Sequence, residues 1–301
     1  MTKPNLFIVG APKCGTTALC EYLRAHPSVF MSTPKEPHYF STDYEQYRRV
    51  KTIKEYEHLF RESSDEHKIV GEASVFYLRS AKAAALIQEY NPNAKVVVML
   101  RNPVDLVYSL HAQLRMSGDE TENDFENAWR LQTERASGHS IPDSCREPAF
   151  LQYKNMGHLG DQVEALFRIF PREQVKVILY EDFSRSPGKI YTELLEFLDI
   201  PDDNRKTFET INPNQQHRFD FAGKLLHKTP QSLIAAALKF RNILGIERLN
   251  ILRRLRALNT KTIQRPPLSE EFARELNQEF AIDIGKLEQI LGINLDHWTH
   301  T

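Results

Sequence analysis

The chain has 301 residues, 41% of them hydrophobic, with 39 Lys and Arg against 40 Asp and Glu for a formal net charge of −1. That apolar content supports a buried core and argues against disorder, and the balanced charge carries no global signal for nucleic acid or an acidic partner, so charge must be read locally. The three cysteines, Cys14, Cys20 and Cys145, have neither a paired framework nor metal-ligand spacing. With no visible secretory leader or membrane span, they predict a cytoplasmic protein without a metal.

In chain order, Leu6 to Val9 reads as a short apolar strand, Gly10 to Gly15 as a tight loop, and a helix opens at Thr16 or Thr17 and runs to about Ala25. Met31 to Asp43, with two prolines, is an irregular loop holding Lys35, Glu36, His38, Tyr39 and Phe40. Tyr44 to Phe60 reads as helical with breaks. Lys68 to Gly71 is a short buried strand entering the segment GEASVFYL, and Ser80 to Tyr90 is a helix. Lys95 to Leu100 is the strongest strand, a continuous apolar run of the kind buried on both faces. Asn102-Pro103 opens the next helix, with proline in the first turn where its missing N–H costs nothing, and that helix carries Ser109. Asp124 to Ala136 and Gly157 to Phe170 are helical, Val175 to Tyr180 is a strand and Pro187 to Leu198 a helix. Apolar strands alternating with helices predict an α/β fold with a central parallel sheet flanked by helices.

The stretch LFIVGAPKCGTTAL, Leu6 to Leu19, carries the clearest chemistry. A loop between a strand and a helix N-terminus gathers free N–H groups at the positive end of the helix dipole, which is an anion site. Gly10 and Gly15 let the backbone approach a ligand, Lys13 adds a charge, and Thr16 and Thr17 add hydroxyls. Cys14 is read as a small filler rather than a nucleophile, although such a loop can lower a thiol pKa. The glycine spacing matches the triphosphate loop G-x-x-x-x-G-K-[ST], but Thr16 stands where that motif has lysine, and the best second strand ends in Arg101 rather than a magnesium-binding Asp. The loop suits a phosphate-like anion without the usual magnesium apparatus.

PKCGTTAL after a strand resembles the 5′-phosphosulfate loop of sulfotransferases that use 3′-phosphoadenosine 5′-phosphosulfate (PAPS). VVVMLRNPVDLVYSL, Val96 to Leu110, resembles the 3′-phosphate motif of that family, and YEDF, LLEFLDI and RPPLSEEF resemble later family segments. The likeness is to bacterial-type members near the heparan and glucosaminyl branch. It implies a P-loop-like sulfotransferase fold over residues 1–301 as a single domain, and transfer of a sulfuryl group from PAPS to a hydroxyl of a carbohydrate, lipid or small-molecule acceptor (EC 2.8.2 type). Lys13, Cys14, Gly15, Thr16 and Thr17 would hold the 5′ end of the donor, and Arg101 and Ser109 its 3′-phosphate. KEPHYF, Lys35 to Phe40, resembles the segment that supplies the catalytic Glu, so Glu36 is the expected base, with His38 sharing or taking that role. Lys13 would also stabilise charge on the leaving phosphate. GEASVFYL resembles a segment near the adenine and acceptor sites, with Glu72 and Ser74 as candidates. The late basic loop that closes over the donor has its nearest match in NPNQQHRF, with Arg218 as the cation. No metal is expected, because the transferred group carries less charge than a terminal phosphate.

Residues 217–265 hold eleven Lys or Arg against Asp220 and Glu247, a formal +9, interleaved with apolar residues. This reads as an amphipathic helical pair with a solvated basic face, or as a cap or peripheral docking face for an anionic partner or membrane surface. Two rival functions remain open: an ATP-dependent small-molecule kinase, and a non-catalytic nucleotide-binding protein. Oligomeric state is unreadable.

Overall fold

Strands rich in Val, Ile and Leu bury both faces, and the three at the centre of this sheet do so. A computed structural model describes residues 3–209, 215–217, 260–262 and 266–299. The strands β1 (Leu6–Gly10), β2 (Val29–Met31), β3 (Ile69–Ala73), β4 (Lys95–Leu100) and β5 (Val175–Leu179) form one parallel sheet in the order β2-β3-β1-β4-β5. β1 is buried throughout, and Val96 to Leu100 of β4 are fully buried.

The helices flanking the sheet are α1 (Thr16–Arg24), α2 (Ile53–His58), α3 (Ala83–Tyr90), α4 (Pro103–Ser117), α5 (Phe125–Arg130), α6 (Gln132–Ala136), α7 (Tyr153–Gly157), α8 (Leu159–Phe167), α9 (Tyr180–Arg185), α10 (Pro187–Leu198) and α11 (Glu270–Leu291). Two further strands, β6 (Gln215–His217) and β7 (Thr260–Thr262), pair antiparallel. Most of the basic stretch at 217–265, with Arg218, lies outside the described residues. No helix among the described residues is long and apolar enough to cross a membrane.

β1 is central. The chain leaves it towards β2 and β3 on one side and later crosses to β4 and β5 on the other. Ligands bind at such a reversal, beyond the carboxyl ends of the strands, and the β1–α1 and β4–α4 junctions lie on either side of it. The backbone there is cross-tied: Ala11 N–H donates to Met99 O (2.6 Å), Ser74 N–H to Ile8 O (3.0 Å) and Leu78 N–H to Val9 O (2.8 Å).

Several boundaries differ from the sequence expectation. β2 is not among the sequence expectations and overlaps the expected loop only at Met31; it forms because Val29 to Met31 gain ladder partners in Ile69 to Gly71. Tyr44 to Phe60 yields only α2. Side-chain and backbone bonds tie residues 43–50 elsewhere: the Asp43 carboxylate accepts from Ser80 Oγ (2.5 Å) and Ala81 N–H (2.9 Å), and the Arg49 backbone N–H donates to Pro37 O (3.0 Å). A capping box of Thr52 and Glu55 then starts α2. Asp124 to Ala136 divides into α5 and α6, and Tyr180 opens a short helix instead of closing a strand. The 22-residue α11 is not among the sequence expectations; its Asp283 carboxylate accepts from Gly160 N–H (2.7 Å) and Asp161 N–H (3.0 Å), docking it onto the start of α8.

Gly10 sets the turn out of β1. Its φ is +144°, and a Cβ there would sit 2.6 Å from Val75 O and 3.0 Å from Leu78 Cβ. Gly10→Ala is expected to destabilise the fold by ~2–4 kcal/mol through clash and backbone strain together. An unchanged urea midpoint would contradict this packing.

Candidate active site

The turn after β1 takes left-handed backbone conformations. Lys13 has φ +65° and Gly15 +83°, both left-handed. Gly15 packs against Tyr180, whose ring would lie 3.2 Å from an added Cβ. No side chain caps α1, so its first-turn N–H groups are available to an anion. Thr16 is buried and Thr17 half-buried at that end. Cys14 is fully buried, with Sγ 3.3 Å from Pro12 O. Burial pushes its thiol far up, against the opposing charges of Arg101 and Lys13, so Cys14 fills space and is not a thiolate nucleophile.

Across the reversal, Arg101 directly follows β4. Its guanidinium lies over the Tyr180 ring (4.7 Å to the centroid) and pairs with Asp105 (2.7 Å), while its buried Nε has no hydrogen-bond partner. Tyr180 thus touches both junctions. Asn102 caps α4: its Oδ1 accepts from Val104 N–H (2.9 Å), its own N–H donates to Glu181 (3.1 Å), and its side-chain amide donates to Trp298 O (3.1 Å). Ser109 is buried two turns along α4.

The third component is the segment Lys35 to Phe40, clamped against β3. Glu36 N–H donates to Ala73 O (3.0 Å). His38 N–H donates to Ser74 Oγ (3.1 Å), and Phe40 N–H to the Tyr77 hydroxyl (3.3 Å). Glu36 and His38 have φ of +62° and +52°, a conformation that costs energy in non-glycine residues and persists where the surroundings enforce it. Lys35 Nζ lies 2.9 Å from Glu36 Oε1 and 3.4 Å from Thr16 Oγ1, so this segment touches the anion loop directly. His38 Nε2 stands 3.9 Å from Glu36 Oε2, and its ring stacks on Phe76. Burial works to raise the Glu36 pKa, but His38 and Lys35 outweigh it and hold the carboxyl well below its usual range. Burial lowers the His38 pKa against the pull of Glu36. At neutral pH the pair is a carboxylate beside a neutral imidazole.

Beneath this segment lies Glu72, which has no solvent contact. It accepts from Ser74 Oγ (2.6 Å), the Tyr77 hydroxyl (2.8 Å) and the Tyr56 hydroxyl (3.0 Å). Ser74 and Tyr77 are the groups that hold His38 and Phe40, so Glu72 orients the segment from below.

The structure therefore brings Lys13, Cys14, Gly15, Thr16 and Thr17 to one junction, Arg101 and Ser109 to the neighbouring one, and Glu36 and His38 to the first through Lys35. Arg218 lies outside the described residues. Sequence reasoning passed over the parts played by Lys35, Tyr180, Tyr56 and Tyr77. The available signal was Glu72 itself, a charge inside a buried strand that needs hydroxyl or cationic partners.

Burial pushes the Glu72 pKa up from 4.5 to about 7, against its three hydroxyl donors. The folded state thus keeps this proton to higher pH than the unfolded chain. The stability it contributes is full below about pH 4.5 and is lost as pH rises through about 7. Glu72→Gln should abolish that dependence, so that wild type loses up to ~3 kcal/mol relative to the variant over this window. Urea unfolding of both proteins across the range is the check; parallel curves would contradict the assignment.

A family model described as "Sulfotransferase domain" matches residues 3–224. The solved structure of a sulfotransferase from Alicyclobacillus acidocaldarius is 27% identical and superimposes over 99% of both chains with a TM-score of 0.73. A membrane-associated sulfotransferase, kil1, of Dictyostelium discoideum is 24% identical, aligning over 65% of this chain and 56% of its own length. Human carbohydrate sulfotransferase 15 is 25% identical over 65% of this chain and 44% of its own. The chain thus spans about half the length of these two curated relatives.

Proposed function

Because the chain belongs to the sulfotransferase domain family, we propose that it transfers a sulfuryl group from PAPS to an acceptor hydroxyl. The observation that carries this reading is the meeting of two anion-binding junctions with a carboxylate–imidazole pair, joined where Lys35 Nζ reaches Thr16 Oγ1 at 3.4 Å. Lys13 and the N–H groups of Cys14 to Thr17 hold the 5′-phosphosulfate. Arg101, as a fork of charge-assisted donors, and Ser109, as a hydroxyl, hold the 3′-phosphate.

In the transfer, the acceptor oxygen attacks sulfur and the bond from sulfur to the 5′-phosphate oxygen breaks, leaving its electron pair on the phosphate. Lys13 and the loop N–H groups stabilise that charge. The acceptor proton passes to Glu36, with His38 the second candidate base. The reaction asks for no metal in this scheme, since neither loop carries the magnesium ligands of a kinase; Thr16 in place of the triphosphate-loop lysine also disfavours ATP. The relative named as a carbohydrate sulfotransferase supports a carbohydrate hydroxyl as acceptor. The three free cysteines fit a reducing, cytoplasmic setting. We treat residues 1–301 as a single domain, with the basic stretch at 217–265 as a cap or a peripheral contact.

Calorimetric titration with 3′-phosphoadenosine 5′-phosphate (PAP) in the absence of magnesium, beside ATP with magnesium, tests the donor. Tight binding of PAP alone is expected; binding of ATP alone would replace this reading with a kinase. Lys13→Ala and Arg101→Ala should each reduce PAPS-dependent turnover by ~10²-fold or more, and full activity in both would refute the donor site. Glu36→Gln is expected to lose most of kcat. If it retains activity while His38→Ala loses it, the imidazole is the base.

A further inference from the structure

Lys35 has no part in the scheme above, yet it is the side chain that bridges the anion loop and the base. We propose that Lys35 is a second cation for the transferred sulfonate and the counter-ion of Glu36 until the donor binds, so that donor binding frees the base. The inference rests on the donor reading above.

The geometry fixes the ammonium between two claims. Its backbone is held on both sides: Glu36 N–H donates to Ala73 O (3.0 Å), and Arg49 donates to Lys35 O (3.2 Å). The side chain is 17% exposed, and Nζ lies 2.9 Å from Glu36 Oε1 and 3.4 Å from Thr16 Oγ1. Thr16 opens α1 at the end where an anion binds. An ammonium carries three donors, and an anion seated beside Thr16 competes for them with the Glu36 carboxylate. In a site shielded from solvent that attraction is weakly screened.

The consequence for the base follows from its charge partners. Beside His38 and paired with Lys35, Glu36 is held well below the usual carboxylate range and is a weak acceptor of protons; Lys35 supplies the part of that pull a bound anion can remove. When the ammonium turns to the sulfonate, Glu36 loses that pairing and its basicity rises. Lys35 thereby withholds the base from an acceptor hydroxyl that arrives before the donor. An ordinary ion pair would have none of these effects on the donor.

PAP and PAPS differ by the sulfonate alone, which makes them the discriminating pair. Wild type, Lys35→Met and Glu36→Gln are titrated calorimetrically with each, without acceptor. Lys35→Met is expected to lose about 10-fold in PAPS affinity, the scale of a hydrogen bond to a charged group, with PAP affinity unchanged. Glu36→Gln is expected to tighten PAPS by about 3-fold, again without effect on PAP, because the ammonium is no longer shared. Equal loss of PAP and PAPS in Lys35→Met would mean that Lys35 only shapes the loop, and unchanged binding in both variants would reduce the contact to an ordinary ion pair; either result overturns the proposal while the donor reading stands. A selective loss in Lys35→Met without tightening in Glu36→Gln would sink the exchange with the base. Wild type that binds neither nucleotide would remove the donor reading, and this inference with it.

Discussion

A carboxylate with no access to water is expensive unless hydrogen-bond donors meet it, and Glu72 imposes that constraint on the centre of this molecule. Its answer comes from Tyr56, Ser74 and Tyr77. Two of these hydroxyls also take a backbone N–H from the segment above, from His38 and from Phe40. The strained φ of Glu36 and His38 is sustained by bonds that end on the last residue of β3 and on Ser74 just after it. The site therefore inherits its rigidity from the sheet, although the residues proposed for chemistry sit in a loop. This is the arrangement a functional site needs: reactive side chains whose supporting partners are fixed before any ligand arrives.

Tyr180 plays the corresponding part for the two junctions. Its ring lies under the Arg101 guanidinium and against Gly15, so the cation at the end of β4 and the start of α1 share one packing partner. A side chain at position 15 would have to displace that ring, and φ of +83° disfavours any residue with a Cβ. The distance between the two proposed phosphate sites is thus set by an aromatic contact as much as by the sheet register.

The features legible in the sequence were those written in local signals. The glycine spacing around Lys13, the apolar run from Val96 to Leu100 and the Asn102-Pro103 helix start each encode their own geometry, and β1, β4 and α4 appear where those signals place them. β2 was not legible because Val29 to Met31 become a strand only by pairing with Ile69 to Gly71, a partner some forty residues away. Residues 43–50 carry a helical pattern but are tied by Asp43 and Arg49 to Ser80, Ala81 and Pro37, and tertiary bonds override weak propensity. The site divides in the same way. KEPHYF marks Glu36 and His38 as candidates, whereas the link from Lys35 to Thr16 exists only after the loop folds across α1.

Arg101 and Lys35 share one further property: each is paired with a carboxylate of its own chain, Asp105 in one case and Glu36 in the other. A cation site without such a partner would attract any anion of the right size. If both cations serve the donor, an incoming ligand must offer a better partner than the carboxylate already present, and two such exchanges at two junctions are met best by a molecule with negative charge at both ends. On the donor reading, selectivity then comes from the internal competitors as well as from the attraction itself, because a nucleotide charged at one end completes one exchange and leaves the other ion pair intact. The cost to affinity is modest, since Asp105 is exposed and Arg101 keeps its Nε for a second partner. That cost is recovered only by a ligand that spans both junctions at the separation fixed by β1, β4 and the Tyr180 ring.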